Sequence, residues 1–268
     1  MRATEGSKDN TARADDLAAT LRECGKIALK SFRGTIKSWT KAHSSPVSEI
    51  DIAVNDLLHA RLDRGDIGWL SEESADDAVR LQHRRVWIVD PIDGTRGYLA
   101  GLPDWSISVA LVEDGRPVVA GLYVPVEDEM FIAVAGAGAT LNGAPISPRD
   151  GGDLAGARVA GPKSYLERLA ALAPDIIAMP KVHSLALRLA RVAQGKLDAS
   201  FASVHAHDWD LAAADLLVHE AGGVLTNVAG RRLIYNRPEL VHGALIAAGS
   251  ARHEAILELV REKWANLV

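Results

Sequence analysis

The stretch Val86-Trp87-Ile88-Val89-Asp90-Pro91-Ile92-Asp93-Gly94-Thr95 joins an apolar run to two carboxylates, a proline and a glycine. The apolar residues are typical of a buried β-strand that ends where the acids begin. Because Asp90 and Asp93 are three residues apart across a turn, both carboxylates can face one point. Gly94 lets the backbone approach a ligand closely, and Thr95 can begin a helix whose free N–H groups receive an anion. The stretch therefore predicts a hard cation that bridges to a phosphate.

Two further acidic segments flank apolar elements, namely Glu72-Glu73 and Asp208-Trp209-Asp210. An acid that opens a helix is also typical of a cap or of a partner for the helix dipole. Surface acids such as Glu72 are common, and the acids of the central stretch could belong to an ordinary turn. Spacing alone leaves these alternatives open, since it does not show that the three acidic sites meet.

Composition limits the class of protein. The chain has 268 residues, enough for one large domain or two tightly joined halves. Its formal net charge of −5 argues against nucleic-acid binding, which usually leaves a basic patch. No apolar run is long enough for a membrane span, and the polar residues 1–16 predict no signal peptide. These features fit a cytoplasmic enzyme, although composition alone would also fit a binding protein.

Hydrophobic periodicity divides the chain near residue 150. The first half shows two helical patterns, a polar loop and a meander of antiparallel strands. The helices are predicted at 7–32 and 48–64, the loop at 34–45, and the strands at 105–113, 117–125 and 128–135. The second half alternates strand-like pieces with helices, which suggests an α/β layer. These helices are predicted at 163–172, 183–194, 210–222 and 251–265.

Four segments, which occur in one order along residues 45–223, resemble the signatures of the inositol monophosphatase superfamily. This superfamily includes inositol monophosphatases and 3'(2'),5'-bisphosphate nucleotidases. The segments are Ser45-Pro46-Val47-Ser48-Glu49-Ile50-Asp51, Ser71-Glu72-Glu73-Ser74, Trp87 to Thr95, and Trp209-Asp210-Leu211-Ala212-Ala213-Ala214 followed by Glu220-Ala221-Gly222-Gly223. The resemblance implies the family's α/β sandwich of alternating helix and sheet layers.

The resemblance also implies a Mg²⁺-dependent, lithium-sensitive phosphomonoesterase. Under this assignment Glu72, Asp90 and the Ile92 carbonyl would hold the first metal. The second metal would be held by Asp90, Asp93 and Asp210, and a third, weaker metal would lie near Glu72. Oxygen ligands of this kind suit Mg²⁺, and paired cations neutralise the charge by which a phosphate monoester repels a nucleophile.

The same motifs imply the substrate side of the site. The amides of Gly94 and Thr95 would bind phosphate, with Asp93 and Asp210 beside the substrate. Asp51 would pair with the Thr95 hydroxyl and help to activate the attacking water, and Glu72 would be a further catalytic group. Thr95 as a covalent nucleophile is the alternative at this position.

Two further residues are predicted as contacts. Ser184 is a candidate substrate contact, although the family's usual Gly-Ser reads His183-Ser184 here. Lys41 is a possible contact from a mobile loop, and a solvated loop charge is its alternative. His205 and His207, which precede Asp208, raise the alternative of a zinc site.

These assignments divide the roles between the halves. Residues 1–150 would form an α+β half with the antiparallel sheet and most metal ligands. Residues 151–268 would form an α/β half with the substrate-side elements and the last metal aspartate, and the two would make one compact unit. We expect a small phosphorylated metabolite as the partner, a homodimer, no membrane contact and no nucleic acid.

The residues before Trp209 bear on the substrate. Inositol phosphatases commonly carry a glutamate several residues before the Trp-Asp motif, whereas the segment Phe201-Ala202-Ser203-Val204-His205-Ala206-His207 contains no acid. In this respect the chain is similar to the bisphosphate nucleotidases, so 3'-phosphoadenosine 5'-phosphate is the leading predicted substrate. Inositol 1-phosphate is the alternative, and a non-catalytic regulatory or RNA-associated protein is a further alternative.

Overall fold

The computed structural model describes residues 5–40, 46–63 and 65–263, which contain seven α-helices and sixteen β-strands. The helices are α1 Glu5–Ser31, α2 Glu49–Leu62, α3 Thr95–Leu99, α4 Lys163–Leu172, α5 Leu185–Ala193, α6 Asp208–Glu220 and α7 Ser250–Lys263. The strands are β1 Ser38–Thr40, β2 Pro46–Ser48, β3 Gly68–Ser71, β4 Arg85–Asp93, β5 Ser106–Glu113, β6 Arg116–Val124, β7 Glu129–Val134, β8 Gly138–Leu141, β9 Ala144–Pro145, β10 Arg158–Ala160, β11 Ile177–Ala178, β12 Ala199–Ala202, β13 Ala206–His207, β14 Gly223–Asn227, β15 Val241–His242 and β16 Leu245–Gly249. None of the described helices is long and apolar enough to cross a membrane.

The larger sheet contains seven strands in the order β3-β4-β5-β6-β7-β8-β9. β3 and β4 are parallel and all other neighbours are antiparallel, so the predicted meander is present. Successive side chains of β4 alternate between two cores: Trp87 and Val89 enter one, and Val86 and Ile88 enter the other. Because β4 is covered on both faces, its residues 86–89 are apolar without interruption.

Helices and sheets alternate as five layers. α1 and α2 pack on one face of the larger sheet, and α5 and α6 pack on the other. The same helices, α5 and α6, pack against the smaller sheet, whose order is β11-β10-β12-β16-β14. α4 and α7 cover the outer face of that smaller sheet. The predicted sandwich of alternating layers is confirmed, and α5 and α6 lie between the two sheets.

The two main sheets lie on opposite sides of residue 150 in the sequence. Their shared core does not respect that division, because Ile88 of β4 and Leu217 of α6 belong to one hydrophobic cluster. Leu245 of β16 belongs to it as well. The core packing joins the two halves across α5 and α6. The division of roles between residues 1–150 and residues 151–268 therefore stays a prediction.

The structure differs from the sequence prediction in short, exposed elements. Part of the predicted loop 34–45 is β1, which pairs antiparallel with β2. All three residues of β1 are exposed, so no alternation of buried and exposed side chains predicts this strand. α6 begins at Asp208 instead of residue 210, and its first side chain is fully buried. β13 and β15 have two residues each, too few for any periodic pattern.

Candidate active site

Three aspartates from two distant parts of the chain meet at the edge of the larger sheet. Asp90 and Asp93 end β4, and Asp210 lies in the first turn of α6. Carboxylate oxygens of the three residues all lie within 4.8 Å of one another. Asp90 and Asp93 are buried, whereas Asp210 is partly exposed. The open side of this aspartate cluster is therefore the side of Asp210.

An irregularity in strand pairing brings Asp90 and Asp93 to the same point. In a regular strand, residues three apart face opposite sides of the sheet. Here the pairing of β4 with β5 shifts between Asp90, which opposes Ser108, and Asp93, which opposes Ser106. Such irregularities re-aim side chains, and they are common beside active sites. The apolar strand pattern predicts β4, but it does not predict this shift.

Asp93 is held by the N-terminus of α5. Its carboxylate accepts hydrogen bonds from Ser184 Oγ at 2.6 Å, Leu185 N at 3.1 Å and Ala186 N at 2.6 Å. Ser184 is fully buried, and its Oγ also accepts a hydrogen bond from Leu187 N at 2.9 Å. Ser184 thus supports Asp93, and the substrate contact that the sequence predicts for it stays a prediction.

Asp210 is oriented by the start of α6. Its Oδ2 accepts a hydrogen bond from His207 N at 2.6 Å. The same turn is anchored by the buried Asp208, whose Oδ1 lies 2.7 Å from His242 Nε2 and whose Oδ2 accepts from Asn236 N at 2.8 Å. The sequence predicts Asp208 only as an acid at the start of a helix. In the structure its side chain connects α6 to the segment that ends in β15.

The electrostatics of the aspartate cluster favour a bound cation. Burial, and next the negative charge of Glu72, raise the pKa of Asp90 well above its usual range. Burial and the charge of Asp93 do the same to the pKa of Asp210. Asp90 Oδ1 is buried and has no hydrogen-bond partner within the described ranges. An all-oxygen donor set that carries concentrated negative charge fits a hard divalent cation such as Mg²⁺.

Glu72 is brought to the cluster by the parallel pairing of β3 with β4. Its backbone N–H donates to Val89 O at 3.2 Å, and its side chain lines the cleft over the aspartates. The turn that carries Glu72 is braced from α2, because Ser71 Oγ donates to Asn55 Oδ1 at 2.7 Å. Parallel neighbours end at the same edge of a sheet, so these acids converge although the sequence separates them.

Thr95 and Asp51 form a second polar pair beside the cluster. Ser48 and Asp51 form a capping box at the start of α2, with Asp51 accepting from Ser48 N at 2.8 Å. The other Asp51 oxygen lies 3.1 Å from Thr95 Oγ1, which is also 3.0 Å from Ile92 O. A hydroxyl has one hydrogen to donate and two lone pairs, so this group can also accept a hydrogen bond from water. Burial raises the pKa of Asp51, although its hydrogen bonds oppose the shift.

Gly94 is required where β4 turns into α3. Its φ of +95° lies in the left-handed region. A Cβ at this position would stand 3.0 Å from Ser184 N and 3.2 Å from the His183 carbonyl carbon. The turn therefore packs directly against the start of α5, which is how Asp93 reaches its three donors.

A cleft of about 330 Å³ opens over these residues. Seven of the predicted site residues line it, including Glu72, the three clustered aspartates, Ile92, Gly94 and Thr95. Sequence reasoning missed four lining residues, namely Pro46, Arg96, Lys181 and His183. Arg96 follows Thr95 directly, so the helix predicted to begin at Thr95 could have indicated that Arg96 lies at the cleft. Lys41, the possible loop contact, lies outside the described residues.

His205 and His207 do not join the aspartate cluster. Among the described residues, the group of metal-ligand type found within 4.8 Å comprises only the three aspartates. His207 instead stacks on Trp209, with ring centroids 4.7 Å apart. Exposed His205 has a φ of +92° and directly precedes β13. His207 Nδ1 lies 3.9 Å from Asp210 Oδ2, but neither histidine belongs to a group of three or more ligand-type side chains among the described residues.

The fold and the oxygen-rich cleft define the class of metal-dependent phosphatases. The family model for the inositol monophosphatase family matches residues 10–265, and this chain belongs to that family, whose members are Mg²⁺-dependent. The chain is 35% identical over 222 residues to Nus factor SuhB of Xylella fastidiosa, which covers 78% of this chain and 79% of that protein. It is 29% identical over 228 residues to the inositol-1-monophosphatase of Mesorhizobium japonicum, covering 81% and 83% of the two chains. The structure of extragenic suppressor protein suhB from Bartonella henselae superposes with a TM-score of 0.83 at 25% identity, covering 94% and 99%.

Proposed function

We propose that this chain hydrolyses a small anionic phosphate monoester with Mg²⁺ as the cofactor. The observation that carries the proposal is the convergence of Asp90, Asp93 and Asp210 within 4.8 Å at the floor of an open cleft. Glu72, Asp90 and the Ile92 carbonyl would hold one Mg²⁺, and the three aspartates would hold a second. A third ion near Glu72 belongs to the same proposal.

The chain's own residues supply orientation and proton acceptance. Bound Mg²⁺ would supply the positive charge that offsets repulsion between a phosphate and its nucleophile. The amides of Gly94 and Thr95 point from the β4–α3 turn and would hold phosphate oxygens. Thr95 Oγ1, which lies 3.1 Å from Asp51, can accept a hydrogen bond from the attacking water while it donates to that carboxylate. Glu72 lies at the cleft as a further acceptor for the water proton.

The leading substrate of this proposal is 3'-phosphoadenosine 5'-phosphate. The segment between β12 and α6 contains no acid before Asp208, whereas inositol phosphatases commonly carry a sugar-gripping glutamate there. Inositol 1-phosphate is the second candidate, and similarity to the Mesorhizobium japonicum inositol-1-monophosphatase favours it. Lithium inhibition and a homodimer, which family resemblance implies, complete the proposal.

A phosphate-release assay tests the activity. The purified chain would be supplied with Mg²⁺ and equal concentrations of the nucleotide, inositol 1-phosphate or fructose 1,6-bisphosphate. We expect turnover that disappears with EDTA and in D93N, because Asp93 belongs to the aspartate cluster. D175N is the matched control, since Asp175 is exposed and does not line the cleft. Equal turnover in D93N and the parent chain would reject the metal site.

A regulatory function is the second candidate. Several relatives carry the name Nus factor SuhB, and a Nus-type role would not need turnover. The net charge of −5 points away from direct contact with nucleic acid, so a protein partner would be required. Binding to such a partner that persists in D93N would separate this function from catalysis. Sedimentation of the free chain would test the homodimer in the same series.

A further inference from the structure

A histidine held by an aspartate lines the cleft over the aspartate cluster. His183 belongs to the segment that precedes α5, and its side chain is 22% exposed. Its ring Nδ1 lies 2.8 Å from Asp104 Oδ2, and the same oxygen accepts a hydrogen bond from His183 N at 2.8 Å. Ser184 N donates to Asp104 O at 3.1 Å. Asp104 therefore holds both the ring and the backbone of His183, and we call the two residues the His183–Asp104 dyad.

The β4–α3 turn and α3 fix the other side of the dyad. A Cβ added at Gly97 of α3 would stand 2.9 Å from His183 Cβ and 3.0 Å from His183 Cγ, so the ring lies directly against this glycine. A Cβ added at Gly94 would stand 3.2 Å from the His183 carbonyl carbon. The amide of Gly94 is proposed to hold a phosphate oxygen. His183 is thus packed beside the place where the phosphate would bind.

The contact with Asp104 determines which ring nitrogen a substrate can reach. An ionised carboxylate has only acceptor oxygens, so Nδ1 carries the hydrogen that bonds to Asp104. In the described part of the chain, this is the one hydrogen bond that the side chain of His183 makes. Nε2 is on the far side of the ring and stays available to a molecule in the cleft. A carboxylate that fixes one nitrogen and leaves the other to the substrate is typical of acid–base histidines.

The other charged groups at the cleft have different roles. The carboxylates belong to the proposed metal site, and guanidinium and ammonium groups ordinarily keep their protons near neutral pH. Imidazole, in contrast, gains and loses a proton between pH 5 and pH 8. His183 is the histidine among the described residues that line the cleft. The charged residues that line it with His183 are Glu72, Asp90, Asp93, Arg96, Lys181 and Asp210.

The dyad and the water-holding pair reach the β4–α3 turn from different elements. Thr95 Oγ1 lies 3.1 Å from Asp51 of α2, whereas His183 comes from the segment before α5. In a phosphoryl transfer the attacking and departing oxygens are roughly in line across phosphorus. A group that serves the departing oxygen must therefore approach from an element other than the one that holds the water. His183 meets this condition.

We propose that His183 Nε2 donates a proton to the departing oxygen of the phosphate ester, and that Asp104 is the positioning residue for this step. The inference rests on the proposed phosphatase function and adds a catalytic residue to it. The oxygen of water bonds to phosphorus, and the ester P–O bond breaks with its electron pair going to the departing oxygen. That oxygen takes the Nε2 proton of the imidazolium, and the proton from water goes to Glu72. The neutral imidazole then regains a proton from solvent, and Glu72 returns one to it.

The dependence on the leaving group tests the role of His183. The phenolate that departs from p-nitrophenyl phosphate is weakly basic and needs no proton donor, whereas the alkoxide that departs from 2-glycerophosphate does. We expect H183Q to lower kcat about 100-fold for 2-glycerophosphate and less than about threefold for p-nitrophenyl phosphate. H59Q, at an exposed position of α2 outside the cleft, is the matched control and should change neither rate. Equal losses on both esters in H183Q would overturn the proposal.

G97A tests the same role without removing the imidazole. The added Cβ would displace the ring of His183, while the φ of Gly97 is not positive, so the backbone of α3 can accept alanine. We expect the loss of turnover in G97A to fall mainly on 2-glycerophosphate, as in H183Q. Parent-like turnover of both esters in G97A would count against a ring that must stay at this place.

Nitrogen NMR of the metal-free chain in EDTA gives a readout that needs no turnover. For the neutral ring of His183, at about pH 9, we expect the proton on Nδ1 in the parent chain and a loss of that preference in D104A. A proton on Nε2 in the neutral ring of the parent chain would overturn the positioning role of Asp104. If the parent chain hydrolyses neither ester, the phosphatase proposal fails together with the proton donation. Turnover with equal losses in H183Q rejects the role of His183 alone.

Discussion

Ser184 Oγ donates to Asp93 Oδ2 at 2.6 Å although the two residues are 91 positions apart. The same hydroxyl caps α5 and lies 2.9 Å from Ser106 Oγ. One buried side chain thus connects the end of β4, the start of β5 and the first turn of α5. The position of a predicted metal ligand therefore depends on a contact between the two halves of the sequence.

Replacing Ser184 with alanine should weaken both the site and the fold. S184A removes a donor to Asp93 and the cap of α5, so we expect a loss of about 1–2 kcal/mol in the free energy of unfolding. Metal affinity should fall about 10–100-fold, as is usual when a group that orients a ligand is removed. Denaturant titration and Mg²⁺ dependence of turnover measure the two effects. S164A, at an exposed position of α4, should change neither.

Replacing Asp90 with asparagine should raise the stability of the metal-free protein and weaken its binding of metal. Without a cation, burial and the charge of Glu72 disfavour the ionised Asp90, so D90N should raise the Tm in EDTA. The same variant should lose the Tm increase that Mg²⁺ gives the parent chain, because Asp90 would contribute to both ions. Turnover should fall about 100-fold or more. A Tm in EDTA that drops in D90N would show that the carboxylates do not repel one another as the geometry indicates.

Replacing Gly94 with alanine should lower the free energy of unfolding by more than its positive φ alone explains. Gly94 and Gly136 have similar φ values, +95° and +76°. An added Cβ meets Ser184 N at 3.0 Å at the first position and nothing within 4 Å at the second. We expect G136A to lose about 1 kcal/mol of stability and G94A to lose about 2–3 kcal/mol together with most turnover. Equal losses in both variants would mean that the β4–α3 turn is not packed tightly against α5.

The stability of the protein should decline in mild acid because of His253. This side chain of α7 is 4% exposed, and its Nε2 lies 2.9 Å from Thr226 Oγ1. Burial lowers the pKa of His253 from 6.5 to about 4. Below pH 6.5 the imidazole of His253 therefore binds a proton in the unfolded chain, whereas in the folded chain it stays neutral until the pH approaches 4. Stability is complete above that pH and falls as the pH drops to about 4, by at most about 3 kcal/mol.

A comparison of variants isolates this effect from other titrating groups. H253Q cannot take up the proton, so its free energy of unfolding should vary less between pH 7 and pH 4 than that of the parent chain. H59Q replaces an exposed histidine of α2 and should retain the parent slope. Parallel pH profiles for the parent and H253Q would refute the assignment.

Much of the site could be predicted from local sequence because its carboxylates lie in short motifs at the ends of strands and helices. Asp90 and Asp93 end an apolar strand, and Asp210 lies in the first turn of an apolar helix, so their types and elements follow from neighbouring residues. The supporting role of Ser184 could not be predicted in this way. It depends on the packing of the start of α5 against the end of β4, which no local periodicity encodes.

The sequence by itself determined the longer strands and helices, and which of them end in acids, because periodicity and capping act between residues a few positions apart. Only the tertiary structure decided that those acids converge. The parallel pairing of β3 with β4, the shift between β4 and β5, and the placement of α6 against the larger sheet bring Glu72, Asp90, Asp93 and Asp210 to one cleft. Convergence is a property of packing between distant segments, and packing depends on the whole core instead of on any one motif.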